Sequence, residues 1–534
     1  MSAPVLHPAG ELGWLLELPS THAAQALAAR LETHPLPGQK DLCSGERTVL
    51  VVFSDPHRAA AARTVLAGLP LDAVEAISGQ HHRLEASYDG ADLHAAASLL
   101  SLSEEALVAA HAGTVWTAGF IGFAPGFAYL SSSSWAFEVP RLSSPRTAVP
   151  AGAVALAGSY SAAYPSSSPG GWQLIARTNA RLWDSGRTAP ALICPGDTVQ
   201  FVPVRELVEL PAAAPATPGP VPAVPEAASG RALQVMHPGL QPLIQDAGRP
   251  GLGRIGVGPS GAADRASHAQ ANRLAGNAPD AATIEVLAGG LELEAAGDHV
   301  LALAGAQVPV FIDGQLLEQH GGYCAPFPLQ HGQRLQLGAP VSGLRSYLAV
   351  RGGLSVEPVL GSRSTDTLAQ LGPAPLAAGQ RLPVGGETIG AVGWAEPSTL
   401  PVPAADGCYE LAMRPGPRED WFSAGQLEQL TGMIWVVSPA SSRVGLRLQP
   451  AEGGSPLRRD RAGELPSEPM ATGAVQVPPN GEPVLFLADR PVTGGYPVLG
   501  VLGRAGINAA AQLPPGARVR LVPQLVRNFG AVKS

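Results

Sequence analysis

The sequence predicts a mainly β protein with α+β elements, in which a small α/β unit precedes tandem strand-rich domains. Three observations predict it. Glycine and proline, 63 and 53 of 534 residues, are spread along the chain, which favours short strands and turns over long helices. The apolar runs, such as WQLIART and ALICPGDTVQFVPV, are short and bounded by Gly/Pro turns. The stretch PAAAPATPGPVPAVPEAASG, residues 211–230, has no hydrophobic period and reads as a semi-rigid linker between two halves.

The elements follow in order. Residues 1–85 read as the α/β unit. THAAQALAARLETH has the apolar spacing of an amphipathic helix, RTVLVVF (47–53) reads as a buried strand, and HRAAAARTVLAGL (57–69) as a second helix. From 86 to 210 the pattern turns to strands, broken by the helical SEEALVAAHAG (103–113) with Ser103 as its N-cap. Residues 231–395 and 408–525 repeat the strand-rich style on either side of a weaker boundary, AEPSTLPVPAADG (395–407). Asp313-Gly314 marks a hairpin turn. PGDTVQF (195–201) and PPGARVRLVP (514–523) close their units in the same way, a hint of related modules. Residues 526–534 read as a loose tail.

Composition excludes several functions. A net charge of −8 disfavours nucleic-acid binding, which needs clustered cations. Lys40 and Lys533 are the only lysines, and neither sits in a P-loop or kinase-like setting, so phosphate chemistry would rest on arginine, backbone N–H groups or a metal. Cys43, Cys194, Cys324 and Cys408 form no CxxC pair; buried free thiols are expected, with neither disulfides nor a protein-held metal cluster. No basic leader and no apolar run of 18 residues is present, so a cytoplasmic protein without membrane contact is expected.

GLGRIG (251–256) matches G-x-G-x-x-G, but GRP precedes it and Pro259 follows, so it reads as a glycine-rich loop and not as a nucleotide fingerprint. In GFIGFAPGFAYL (119–130), Phe123, Phe127 and Tyr129 suit a core, whereas Gly122, Pro125 and Gly126 suggest a shaped loop. Arg141, Arg146 and Arg177 lie among Gly and Pro turns, as ordinary surface arginines or as carboxylate and phosphate holders. SSSPGGW offers Ser168 and the N–H groups of Gly170 and Gly171 to an oxyanion. Further on, Gln245, Asp246, Arg249, Ser260 and Asp264 gather in one Gly-rich region. Ser260 or Asp264 equally suits the cap of the helix RASHAQANRLAG.

GFAPGFAYL, VPAGAVALAG and YPSSSPGGWQLIART, in this order, resemble the allophanate hydrolase subunit 1 family, which includes the B-type subunit of 5-oxoprolinase and a sporulation kinase inhibitor. The second half resembles the companion subunit 2 family, which includes the C-type subunit of 5-oxoprolinase. The segments that carry this are RSYLAVRGGLSVEPVLGSRSTDTLAQLG, MRPGPREDWF, VSPASSRVGLRL and ELPSEPMATGAVQVPPNGEPVLFLADRPVTGGYPVLGVL. The family's acid before Arg443 is absent here, and SEP leaves Ser467 and Glu468. The resemblance implies cyclophilin-like β-barrels and a B/C fusion acting with a separate third subunit to open 5-oxoproline to glutamate with ATP and Mg²⁺. It implies Asp264, Glu468 and Arg146 as catalytic residues. It implies small-molecule contacts by Phe123, Pro125, Gly126, Arg141, Gly152, Ser168, Gly170, Gly171, Gln173 and Arg177 in the first half. Those in the second are Gln245, Asp246, Arg249, Ser260, Arg363, Arg443, Gln476 and Arg490. Two alternatives follow from the same families: a biotin-dependent, urea-carboxylase-like carboxyltransferase, and a kinase-inhibitor-type regulator. A biotin acceptor lysine has a Met flank that Lys40 and Lys533 lack, so covalent biotin on this chain is not expected. Homo-oligomerisation stays open.

Overall fold

The computed structural model describes residues 4–69, 79–207, 230–317, 323–461, 463 and 465–524. The expected linker at 211–230, apart from Gly230, and the tail at 526–534 lie outside the described residues. Among those described, no helix is long and apolar enough to cross a membrane.

The first unit is a four-stranded sheet ordered Val5–Pro8, Gly13–Glu17, Thr48–Phe53, Gln39–Ser44. Two helices cover it. Thr21–Thr33 is capped by Ser20, which accepts from the Ala23 N–H, and buries Ala24, Leu27, Ala28 and Leu31 against the sheet. Pro56–Ala67 is capped by Asp55 with proline at its first turn. The unit ends before the expected position 85: strand His81–Ala86 already belongs to the next sheet.

That sheet has seven strands, ordered Gln173–Arg177, Ala153–Ala157, Tyr160–Ala163, Ala128–Ser131, Trp116–Ile121, Thr198–Pro203, His81–Ala86. A backbone bridge between Ser87 and Arg177 joins its two ends, so it closes as a barrel. Helix Glu104–Gly113 is capped by Ser103 as expected. The run GFIGFAPGFAYL is both strand and loop: its ends lie in the sheet interior and residues 122–127 form the turn between them.

Residues 408–523 form a closed seven-stranded barrel ordered Cys408–Pro415, Val498–Leu502, Ala474–Gln476, Val484–Phe486, Gly445–Pro450, Trp435–Val437, Arg518–Pro523. This is the order of the first barrel repeated. In both, the last strand pairs parallel with the first and antiparallel with a strand led by a tryptophan. In both, that tryptophan (Trp116, Trp435) donates its indole N–H to the carbonyl five residues back, in a capped helix. VPAGAVAL and MATGAVQV then match, with Gly152 and Gly473 both in the left-handed region at φ +80° and +85°. SPGGWQLIAR matches VTGGYPVLGV, and Ala176 and Gly500 meet equivalent partners, Val154 and Val475.

Between the barrels, residues 230–385 depart from the single barrel expected there. A six-stranded and a five-stranded sheet face one another across an aliphatic core that includes Leu293, Leu303, Leu335 and Leu348. Helix Arg265–Ala275 covers the outer face of the five-stranded sheet through Ala271, Leu274 and Ala275. Asp313-Gly314 forms the hairpin turn, both residues at positive φ. Of the cysteines, Cys43, Cys324 and Cys408 are buried free thiols; Cys194 is only half-buried.

Candidate functional site

Loops from all four units meet where the first barrel faces the second. The Phe123 N–H donates to Thr493 Oγ1 at 3.1 Å. The Gly126 N–H donates to the Ile255 carbonyl at 3.0 Å, and the Gly253 N–H to Asp41 Oδ1 at 3.1 Å. The Glu46 N–H donates to the Ser467 carbonyl at 2.9 Å. GLGRIG is thus a packing loop wedged between the first unit and the first barrel.

Beneath the 122–127 loop lies a basket of aromatic rings. Phe127 meets Tyr164 and Trp172 edge to face at 5.0 and 5.6 Å, and Tyr129 meets Trp172 at 5.6 Å. Phe123, at the rim, is 37 % exposed and has φ +66°, a conformation that costs a bulky residue about 1–3 kcal/mol. Burial pushes the Tyr129 and Tyr164 phenols up to about 12, with Arg141 opposing the rise in both. Burial and the nearby Glu46 carboxylate raise the third phenol, Tyr160, too. All three hydroxyls are therefore protonated donors at neutral pH. The Ser467 side chain, close by, also opposes the rise at Tyr129, so the second half reaches this site.

Arg146 stands beside this basket. Its Nη2 donates to Asp92 Oδ1 at 2.7 Å, while Asp92 Oδ2 accepts from the Leu174 N–H at 2.7 Å. Its Nη1 is buried and has no partner among the described residues, and the same holds for Ser168 Oγ. Gly170 pairs with Arg146 across two short strands, and a Cβ there would lie 2.4 Å from the Tyr164 hydroxyl. Its role is to let that phenol approach. Arg146 Nη1 and Ser168 Oγ are thus buried polar atoms left over by the fold, the kind of group that a ligand satisfies.

From Ser467 a cleft of about 620 Å³ runs between the first unit and the second barrel, past Glu468, Arg418, Glu17, Arg47 and His7. Arg418 grips Glu468 with both Nε and Nη2 and reaches Glu17 through Nη1 at 2.8 Å. Burial alone would raise Glu17; Arg418 and His7 outweigh it and hold the carboxyl below its ordinary value. Burial raises Glu468, with Arg418 opposing. A magnesium ion at either carboxylate would have to displace this guanidinium, so Glu468 and Glu17 do not fit the expected Mg²⁺.

The second-half candidates form a separate, buried network. Asp246 accepts from Ser362 Oγ at 2.6 Å and from the N–H groups of Gly248 and Arg363 at 2.7 and 2.6 Å. Arg249 and Gln245 donate to the adjacent carbonyls of Ser364 and Thr365. Arg443 is 1 % exposed and paired with Asp489 and Glu285, and Ser260 donates to Asp489 at 2.8 Å. Removing one member of such a buried network costs about 3–5 kcal/mol.

Several expected contacts have partners within the fold. Asp264, not Ser260, caps the helix: it accepts from the N–H groups of Ala266 and Ser267 and the side chains of Ser267 and Gln512. Its oxygens are spent on the cap. Arg177 pairs with Asp89 on an exposed strand end, Arg363 Nε donates to the Val356 carbonyl, and Gln476 to that of Tyr496. Arg490 donates to Thr472 Oγ1, and Gln173 to the Pro140 carbonyl. Gly152 and Pro125 shape turns. The structure brings together Phe123, Gly126, Arg141, Arg146, Ser168 and Gly170, with Glu468 along the cleft. The sequence passed over Asp92, Glu46, Tyr164, Glu17 and Arg418 and left the role of Tyr160 open; the barrel repeat itself, aligning YDGAD with RPGPR, would have marked Asp92 and Arg418.

The chain belongs to the carboxyltransferase-domain family: residues 4–193 match subdomains C and D, and residues 255–523 match subdomains A and B. Within it, the second half is 33 % identical over 299 residues to the C-type subunit of 5-oxoprolinase from Escherichia coli K12, covering 54 % of this chain and 90 % of that one. The first half is 35 % identical over 216 residues to the B-type subunit of 5-oxoprolinase from Escherichia coli O157:H7, covering 37 % of this chain and 94 % of that one. Urea amidolyase of Saccharomyces cerevisiae is 32 % identical over 311 residues, 55 % of this chain but 16 % of that one. The crystal structure of TTHA0988 matches both halves together, at 32 % identity and TM-score 0.83, covering 96 % of this chain and 99 % of that one.

Proposed function

We propose that this chain is the fused B- and C-type part of an ATP-dependent 5-oxoprolinase, acting with a separate third subunit to open 5-oxoproline to glutamate. The observation that carries the reading is the joining, in one chain, of counterparts to nearly the whole length of both 5-oxoprolinase subunits. The side chains gathered there support it chemically. 5-Oxoproline is a small ring bearing one carboxylate and one lactam carbonyl. Arg146, held by Asp92, offers its buried Nη1 to the carboxylate, with Arg141 adding positive charge. The aromatic basket takes the ring, and the protonated phenols of Tyr129 and Tyr164 donate to the lactam oxygen. ATP supplies the phosphoryl group that activates the lactam carbonyl; we assign nucleotide and Mg²⁺ to the third subunit.

The test combines the purified chain with that subunit, ATP, Mg²⁺ and 5-oxoproline, and measures glutamate and ADP. Glutamate should form only in the mixture. Arg146→Gln should lower kcat/KM by about 10–100-fold, the worth of one charge-assisted contact of about 1.5–3 kcal/mol. Glutamate no higher than with either component alone would refute the reading. The urea amidolyase similarity favours a second reading, transfer of a carboxyl group from a biotinylated partner. Co-purification of a biotin carrier would support it.

A further inference from the structure

The repeat places two ion pairs at one position with their charges exchanged. In the first barrel the Gly90 and Asp92 N–H groups donate to Ile175 and Leu174; in the second the Gly416 and Arg418 N–H groups donate to the equivalent Leu499 and Val498. Asp92 and Arg418 therefore correspond. Their partners correspond as well: Arg146 lies opposite Gly170, the first glycine of GGW, and Glu468 opposite Gly494, the first of GGY, a bulge bringing Arg146 into place. Asp92 binds Arg146; Arg418 binds Glu468. Both glycines Gly90 and Gly416 lie so close to the opposing strand that a Cβ would sit 2.4 Å from its carbonyl oxygen. The local geometry is thus common to both barrels, and either polarity of the pair fits it.

Arg418 does something Asp92 does not. Its third nitrogen crosses to Glu17 of the first unit at 2.8 Å. Glu468 is the neighbour of Ser467, whose carbonyl receives the Glu46 N–H and whose side chain lies near the Tyr129 phenol. We propose that Arg418 is a positioning residue that locks the 465–469 segment of the second barrel onto the first unit, and thereby sets Ser467 against Tyr129 at the pocket. It touches no substrate; it acts through Ser467 and Tyr129. This rests on the 5-oxoprolinase reading for its kinetic consequence alone.

Three variants of the full chain test it: Arg418→Gln, Glu17→Gln, and the double exchange Arg418→Asp with Glu468→Arg, which copies the first barrel's pair. Hydrogen exchange is followed in peptides spanning 44–48 and 470–477, and KM and kcat are measured with the third subunit. Each single variant should speed exchange at the Glu46 amide and raise KM for 5-oxoproline about tenfold, with kcat within about threefold. The double exchange should restore wild-type protection at 470–477 and leave Glu46 exchange and KM as defective as in Glu17→Gln, since an aspartate at 418 faces Glu17. Rescue of KM by the double exchange would make the pair a local brace and overturn the proposal. So would wild-type Glu46 exchange in both single variants. If the wild-type chain forms no glutamate, the function fails while the exchange arm still decides the clasp.

Discussion

Asp366 is buried beside Asp489, and the pair cannot both ionise cheaply. Burial first, and then the Asp489 charge, push the Asp366 carboxyl from an ordinary 3.8 up to about 6. The folded chain thus keeps a proton that the unfolded chain releases, so this residue's contribution falls as pH rises from about 4 to about 6 and is level beyond. Asp366 Oδ1 accepts from the Leu368 and Ala369 N–H groups, which an asparagine also satisfies. The stability of wild type minus Asp366→Asn should therefore drop by about 2 kcal/mol between pH 4 and 6.5, most of what the shift carries at 1.36 kcal/mol per pKa unit, measured by urea unfolding. A difference that is flat or grows with pH would show that Asp366 is ionised throughout.

Among the elements, the loops that follow strands His81–Ala86 and Cys408–Pro415 carry Gly90 and Gly416, which press on the backbone of the neighbouring strand. Backbone cannot give as a flexible side chain does, so Gly90→Ala and Gly416→Ala should each cost about 3 kcal/mol. Gly425 lies in helix Ala424–Gly432 with nothing within 4 Å, and Gly425→Ala should stabilise by about 0.5 kcal/mol. Urea midpoints measure all three; equal effects at Gly416 and Gly425 would contradict the packing. The elements themselves were legible wherever a local rule applied. Ser103 and Asp264 cap as their residue type requires, and Asp313-Gly314 turns as its chemistry dictates. The repeat was visible at its ends, PGDTVQF and PPGARVRLVP. Its middle was obscured because the charged pair is exchanged between barrels, so that residue type disagrees where geometry agrees.

Across the whole molecule, two halves and their family were readable from motifs, and the pocket only in part. Arg146 stood out because it lies among Gly and Pro in the sequence, and Glu468 because it falls in the family motif ELPSEP; both lie on short strands. Glu17, Glu46 and Tyr160 reach the junction from units far apart in sequence, which no spacing rule encodes. Polar residues of the second half, Asp246, Arg443 and Asp264 among them, looked like ligand contacts in the sequence. A buried polar group satisfied by its own fold has the same residue type as one facing a ligand.

The central claim is that both halves build one site for a small carboxylate. Its most direct test is calorimetric titration of the intact chain with 5-oxoproline, comparing wild type with Arg146→Gln from the first half and Arg418→Gln from the second. Both substitutions should weaken binding by about tenfold or more, one by removing the donor and the other by releasing Ser467 from Tyr129. Wild-type affinity in Arg418→Gln would confine the site to the first barrel and contradict the account.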